Sequence, residues 1–332
     1  LPMPFNRRDF IQRGAATLSV PAVLGVGALH AQTPVDTLKI VTGFAAGGTS
    51  DTVCRRVAEA VRGLYARAVV VENKTGAGGQ IAISTVKASP PDGSVLLQTP
   101  ASMLTIYPHI YSKLPYDPFT DLVPVSLACS FEFGLGVGPV VPASVTTVPE
   151  FLAWVKANPQ HANFGSPAAG STPHFTGEMI SRAGNVAMRH VPYRGTQAAI
   201  LDLAAGQIAA VSGPIGDFLP HLGAGRIRLL GVSGSTRSRF VPQVPTYVEQ
   251  GMKDIVTDEW FAFYLPGGTP AAIARQANAA LRTALARPEV VQGLADMGLE
   301  AKSSTQAELA TMQRRDHERW GPIVKAVGFK AD

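Results

Sequence analysis

Apolar and polar positions alternate along this chain with two different periods, and the switches between them mark out its elements. Residues 38–42 (Leu-Lys-Ile-Val-Thr) form the short apolar run of a strand. The glycine-rich stretch Gly43 to Ser50 follows, and residues 51–64 then place Val53, Val57, Ala60, Val61 and Leu64 on one helical face. The order repeats, with a strand over 68–72, a second Gly-rich turn from Asn73 to Gly79, a helix over 80–88 and a third strand over 94–99. Such alternation predicts a mostly parallel sheet with helices on its faces.

Two strands, 123–130 and 133–137, lead into a second series. Its first helix is expected over 147–157, where Thr147 can cap the N-terminus and Pro149 and Glu150 suit the first turn. A strand at 163–166, a helix at 172–183, a strand at 190–192, a helix at 196–205 and a strand at 208–212 complete a second α/β unit. Residues 226–232 read as one more strand, and the chain turns apolar again at 260–265. Thr269-Pro270 opens a long helix, and Thr305-Gln306-Ala307-Glu308 is a capping box that opens the last one.

The first residues belong to neither unit. Arg7-Arg8 precede an uncharged run from Ala15 to Leu29, which is the pattern of a twin-arginine signal peptide. Pro21, Gly25 and Gly27 interrupt that run, which also falls short of the roughly 20 apolar residues a membrane span needs. Residues 1–31 are therefore expected to be an export tag cleaved after Ala31 or Ala28, which leaves the mature chain in the periplasm. Their removal takes away three arginines and one aspartate and lowers the formal charge from +5 to +3. The remaining basic residues never cluster with aromatics, which argues against nucleic-acid binding, while a faint positive bias suits an anionic solute. A mature chain of about 300 residues exceeds what one core usually organises, so two domains are expected. Cys54 and Cys129 are expected to be buried thiols, although an oxidising compartment would permit a disulfide.

Three Gly-rich turns sit at strand-to-helix junctions: Gly43 to Asp51, Asn73 to Gly79, and Gly165 to His174. Helix N-termini carry unpaired N–H groups and partial positive charge, so a carboxylate can be held there without a basic side chain. In open α/β sheets ligands bind at that edge. Glycine is equally the residue of any tight turn, and the sequence alone leaves that reading open for each stretch.

The same stretches carry a family resemblance that runs from Leu38 to Asp332. The matching segments include Asn73-Lys74-Thr75-Gly76-Ala77-Gly78-Gly79, Asp92-Gly93 ahead of Leu96-Leu97, and Asp121-Leu122-Val123-Pro124-Val125. Further matches are Gly170-Ser171-Thr172-Pro173-His174, His190-Val191-Pro192-Tyr193-Arg194-Gly195, Pro220-His221-Leu222-Gly223-Ala224-Gly225, Val244-Pro245-Thr246 and Pro266-Gly267-Gly268-Thr269-Pro270. With these the chain resembles the solute receptors of tripartite tricarboxylate transporters, the Bug family of periplasmic binding proteins. Where the family usually has proline in the first loop, this chain has Gly43 and Ala46.

The resemblance implies a type II periplasmic-binding fold: two α/β lobes, each a sheet flanked by helices, joined by two crossover strands. Residues 32–132 with 262–332 would form one lobe and 133–261 the other. Phe44, Ala46, Gly47, Gly48, Thr49 and Asp51, with the turn Gly76, Ala77, Gly78 and Gly79, would supply one wall of the site. Ser166, Ser171, Thr172, His174 and Tyr193 would supply the other, with Ser102 and Gly213 counted among the ligand contacts. The ligand would be a small carboxylate, and the partners would be the membrane subunits of a transporter or a sensor kinase. No cofactor or metal is expected, and the receptor should act as a monomer.

Residue chemistry points the same way. There is no Gly-x-Ser-x-Gly elbow, no Walker loop and no His-Glu-x-x-His, and Ile81 stands where a dinucleotide turn would need its third glycine, so an enzyme is not expected. His174 has no second histidine at ligand spacing and reads as a wall or capping residue. Asp51 can serve the ligand or simply its own helix start. Trp260 and Phe261 are expected to pack at a hinge. Many relatives carry an Asp-Asn pair where Gly213-Pro214 stand, so the second lobe's rim offers Gly and Pro and the ligand is expected to lack an amino group, unless Asp51 or Glu178 points into the cleft to meet an ammonium.

Overall fold

The computed structural model describes residues 1, 35–223 and 225–331, so the expected signal peptide lies outside the described residues except for Leu1. Pro34–Asp332 form one compact unit. Its strands are β1 (Val35–Thr42), β2 (Ala66–Asn73), β3 (Val95–Pro100), β4 (Leu122–Val137), β5 (Asn163–Ser166), β6 (Arg189–Pro192), β7 (Ala210–Pro214), β8 (Arg228–Val232), β9 (Asp258–Pro266) and β10 (Glu300–Ala301). Its helices are α1 (Thr49–Val61), α2 (Gln80–Lys87), α3 (Ser102–Thr105), α4 (Tyr107–Ile110), α5 (Val148–Ala157) and α6 (Thr172–Ala183), then α7 (Thr196–Ala204), α8 (Ile215–Leu222), α9 (Ala271–Leu285), α10 (Pro288–Ala295) and α11 (Gln306–Val327).

The strands form one sheet in the order β2-β1-β3-β9-β4-β7-β5-β6, with β8 and β10 also paired to β4. At one end β1 runs parallel to β2 and β3, and at the other β5 runs parallel to β6 and β7. Between them β9 is antiparallel to both β3 and β4. Strand β4 is the seam, because Leu122 to Glu132 pair with β9 while Phe133 to Val137 pair with β7 and β8. Each end has its own apolar packing: Leu38, Ile40, Val53, Val57 and Leu96 near β1 and α1, and Leu135, Phe151, Phe164 and Tyr247 beyond the seam. Cys54 and Cys129 are free and fully buried in the first of these.

Local signals set several boundaries. The Thr147 hydroxyl accepts from the Glu150 N–H at 3.3 Å while the Glu150 carboxylate accepts from the Thr147 N–H at 3.0 Å, so α5 opens with a capping box. Thr305 and Glu308 repeat this at α11. Residues 123–130 and 133–137 are one strand rather than two, because Ser130-Phe131-Glu132-Phe133 alternates in and out of the sheet instead of breaking it. The strand expected at 208–212 is displaced to Ala210–Pro214, which puts Gly213 and Pro214 inside β7. Helix α8 is weakly signalled in the sequence because Gly216 and Pro220 lie within it. Among the described residues no helix is long and apolar enough to cross a membrane.

Candidate functional site

The C-terminal ends of β1, β3, β5, β6 and β7 open onto one cavity of about 260 Å³. Parallel strands from both ends of the sheet thus deliver their following loops and helices to a single place. Helix α1 reaches it through Gly47, Gly48, Thr49 and Ser50, α6 through Ser171 and Pro173, and α7 through Gly195, Thr196 and Gln197. None of these three helices has a side-chain cap on its first N–H groups. Their N-caps are Gly48, Ser171 and Gly195, and the Ser171 hydroxyl turns away to donate to Ala168 O at 2.6 Å. Three helices of 13, 12 and 9 residues therefore bring unpaired N–H groups and positive dipole ends to one cavity.

The opposite surface is aromatic. Phe131 and Phe133 on β4 and Phe261 on β9 line it, with Phe131 edge-on to Phe133 at 5.7 Å and to Phe261 at 4.8 Å between centroids. Phe44, Met103, Tyr107, Pro100 and Pro214 extend this apolar lining. The sequence suggests a hinge position for Phe261; it is buried on the strand that crosses the sheet centre, yet it faces the cavity.

Two carboxyl groups and one guanidinium complete the lining. Asp217 on α8 accepts from the Thr49 hydroxyl at 2.8 Å and from the Gln197 amide at 3.3 Å, and burial raises its pKa despite these bonds. Glu259 on β9 accepts from the Ser102 N–H at 3.3 Å and from the Thr172 hydroxyl at 2.9 Å, and burial pushes its carboxyl up to about 8. Arg194 is exposed at the cavity edge. Among the described residues neither Glu259 nor Asp217 forms an ion pair.

Of the residues singled out in the sequence, the cavity gathers Phe44, Ala46, Gly47, Gly48, Thr49, Ser102 and Ser171. The others stand around it. Asp51 is buried under the first loop, where it accepts from the Gly47 N–H at 2.9 Å, the Asn73 amide at 2.9 Å and the Arg55 guanidinium. Burial would raise its pKa, but these partners outweigh burial and hold the carboxyl below its usual range. Asn73 also donates to Phe44 O, so this pair fixes the loop from behind.

The turn Gly76-Ala77-Gly78-Gly79 lies a layer further back. A Cβ on Gly78 would stand 2.5 Å from the Tyr107 hydroxyl and one on Gly79 2.3 Å from Met103 Cε, both at positive φ. These glycines let the turn press on two side chains that do line the cavity. Ser166 bonds His190 at 2.7 Å, and Gly213 packs against the Thr196 methyl. Tyr193 points along α7 and donates to Asp202 at 2.7 Å. Thr172 lies behind Glu259. His174 accepts from the Gly170 N–H at 3.0 Å and stacks on His190 at 3.8 Å, in the interior of the fold. Burial, with His174 beside it, lowers the His190 pKa to about 3. Among the described residues no group of three His, Cys, Asp or Glu side chains could hold a metal ion.

Sequence reading did not single out Glu259, Asp217, Phe131, Phe133 or the α7 terminus. The period-2 pairs Phe131/Phe133 and Glu259/Phe261 are a signal that two strands each turn one face to a common space. The expectation of a ligand without an amino group loses its premise, because Asp217 returns a carboxyl group to the cavity three residues beyond Pro214.

A model of the tripartite tricarboxylate transporter family receptor matches residues 53–329. Protein BugT of Bordetella pertussis is 30% identical over 298 residues, covering 90% of this chain and 91% of its own. Among solved structures, MatC from Rhodopseudomonas palustris with bound malate is 28% identical, with a TM-score of 0.80 over 88% of this chain and 100% of its own. An R. palustris protein solved with adipate is also 28% identical, with a TM-score of 0.84 over 90% of this chain and 99% of its own.

Proposed function

The chain belongs to the receptor family of tripartite tricarboxylate transporters, the Bug receptors, and from that premise we propose that it captures a small organic acid in the periplasm. The observation that carries this reading is the convergence of α1, α6 and α7, three uncapped N-termini, on a cavity otherwise lined by apolar side chains. A carboxylate bound there accepts from backbone N–H groups and lies in the positive field of three dipoles. The apolar body of the ligand packs on Phe131, Phe133 and Phe261. Solved relatives with malate and with adipate support a carboxylate as the ligand class.

In this reading residues 32–132 with 262–332 and residues 133–261 are two lobes that close over the acid. The contacts are Phe44 to Thr49, Ser102 and Ser171, with Asp51, Gly76 to Gly79 and Thr172 shaping the walls from behind. The closed receptor, a monomer exported by its signal peptide, hands its ligand to the membrane subunits and performs no chemistry. A thermal-shift panel of mono-, di- and tricarboxylates tests the reading, with neutral sugars as controls. A true ligand at a hundredfold excess over its Kd stabilises the fold by about 2.7 kcal/mol. Stabilisation by sugars and by none of the acids would overturn it.

A further inference from the structure

Glu259 is 3% exposed and stands on the apolar side of the cavity, and among the described residues no cation lies against it. On its own strand the charged neighbour is Asp258, whose ion pair is with Arg319 at 3.9 Å. From α3 and α6 come the Ser102 N–H and the Thr172 hydroxyl, and the Trp260 N–H of its own strand also donates. Strand β4 places Phe131 directly opposite in register and contributes Cys129, whose thiol burial pushes up to about 12. Helix α4 contributes Tyr107, whose phenol burial also raises. On the far side the charged groups are Asp217 and, at the exposed edge, Arg194. These hydrogen bonds do not offset the desolvation of a fully buried carboxylate. An ionised Glu259 would also repel the ligand's own charge across a small apolar space.

We propose, building on the receptor reading above, that Glu259 is a specificity-determining residue that meets the ligand as a neutral carboxylic acid and donates a hydrogen bond to it. Capture of the ionised acid then requires the proton on Glu259, and where the free receptor has lost that proton, binding takes one up from solvent. Burial, the largest influence on this carboxyl, holds it near 8 in the free protein, and a bound anion raises it further. Affinity is therefore nearly constant below pH 7 and falls about tenfold for each pH unit above 8.

The test is calorimetric titration with malate, adipate and benzoate at pH 6, 7, 8 and 9. The tightest binder of the three is expected to bind at pH 9 about tenfold more weakly than at pH 7. At pH 8, titrations in two buffers of different ionisation enthalpy should reveal uptake of about half a proton per ligand. Glu259→Gln, which cannot ionise, should bind more weakly than the native protein at pH 7 but equally from pH 6 to 9. Native affinity unchanged between pH 7 and 9, or no proton uptake at pH 8, overturns the proposal while leaving the receptor reading intact. Failure of all three acids to bind at pH 6 counts against the receptor reading itself, and the proposal falls with it.

Discussion

The Thr49 hydroxyl donates to the Asp217 carboxyl group at 2.8 Å, joining residues 168 positions apart across the cavity. Thr49 is the first residue of α1, in the loop that leaves β1, whereas Asp217 stands on α8 after β7. The bond therefore ties one end of the sheet to the other beside the ligand space. Thr49→Val keeps the shape and removes the donor, leaving Asp217 with Thr196 and Gln197. A hydrogen bond to a charged group contributes on the order of 1.5–3 kcal/mol, so organic-acid affinity is expected to fall at least about tenfold. Faster dissociation in stopped-flow displacement should account for most of the change. Unaltered dissociation would show that the bond does not help hold the site closed.

Gly216 precedes Asp217, and a Cβ there would stand 1.7 Å from the Met297 carbonyl oxygen. A backbone oxygen cannot swing aside as a side chain can. Gly216→Ala is expected to destabilise the fold by about 1–3 kcal/mol or more by overpacking, and to weaken ligand binding by displacing Asp217. Urea unfolding and a ligand titration of the same variant check both effects. Native stability in that variant would mean α8 can shift freely against residues 297–298.

The free receptor should lose stability as pH rises through the range in which Glu259 is protonated only when folded. Its folded pKa of about 8 lies above the usual carboxylate value, so the stabilisation is complete below about pH 4.5 and declines progressively up to pH 8. His190 acts in the opposite sense. Its folded pKa of about 3 means that its contribution is present above about pH 6.5 and is lost as pH falls towards 3. The two windows overlap between about pH 4.5 and 6.5, where the opposing slopes offset each other, so maximal stability is expected as a plateau there, in weakly acidic solution. Melting temperatures of the ligand-free native protein and of Glu259→Gln from pH 4 to 9 decide this, because the variant should flatten the alkaline limb alone.

Much of this architecture is legible in the chain because its determinants are local. Thr147 and Thr305 cap their helices through residues three positions away, and the Gly-rich turns fall at strand ends where the chain must reverse. Helix α6 begins and ends where its periodicity says. The site is less legible because it depends on which layer a residue reaches. Asp51 and Gly76 to Gly79 occupy conspicuous motifs yet stand one layer behind the cavity, holding Gly47, Phe44, Met103 and Tyr107 in place. Glu259, Phe131 and Phe261 lie in ordinary strand sequence. They become lining residues because β4 and β9 pair antiparallel at the centre of the sheet, between the two sets of parallel strands.

The proposed function rests on uncapped helix N-termini, rather than basic side chains, holding the ligand's charge. A crystal structure with the most stabilising acid of the thermal-shift panel tests it most directly. A carboxylate is expected within hydrogen-bond distance of the backbone N–H groups of Thr49 or Ser50 and of Thr196 or Gln197, with the ligand body against Phe131 and Phe261. A carboxylate paired with Arg194 at the cavity edge, out of reach of those N–H groups, would contradict it.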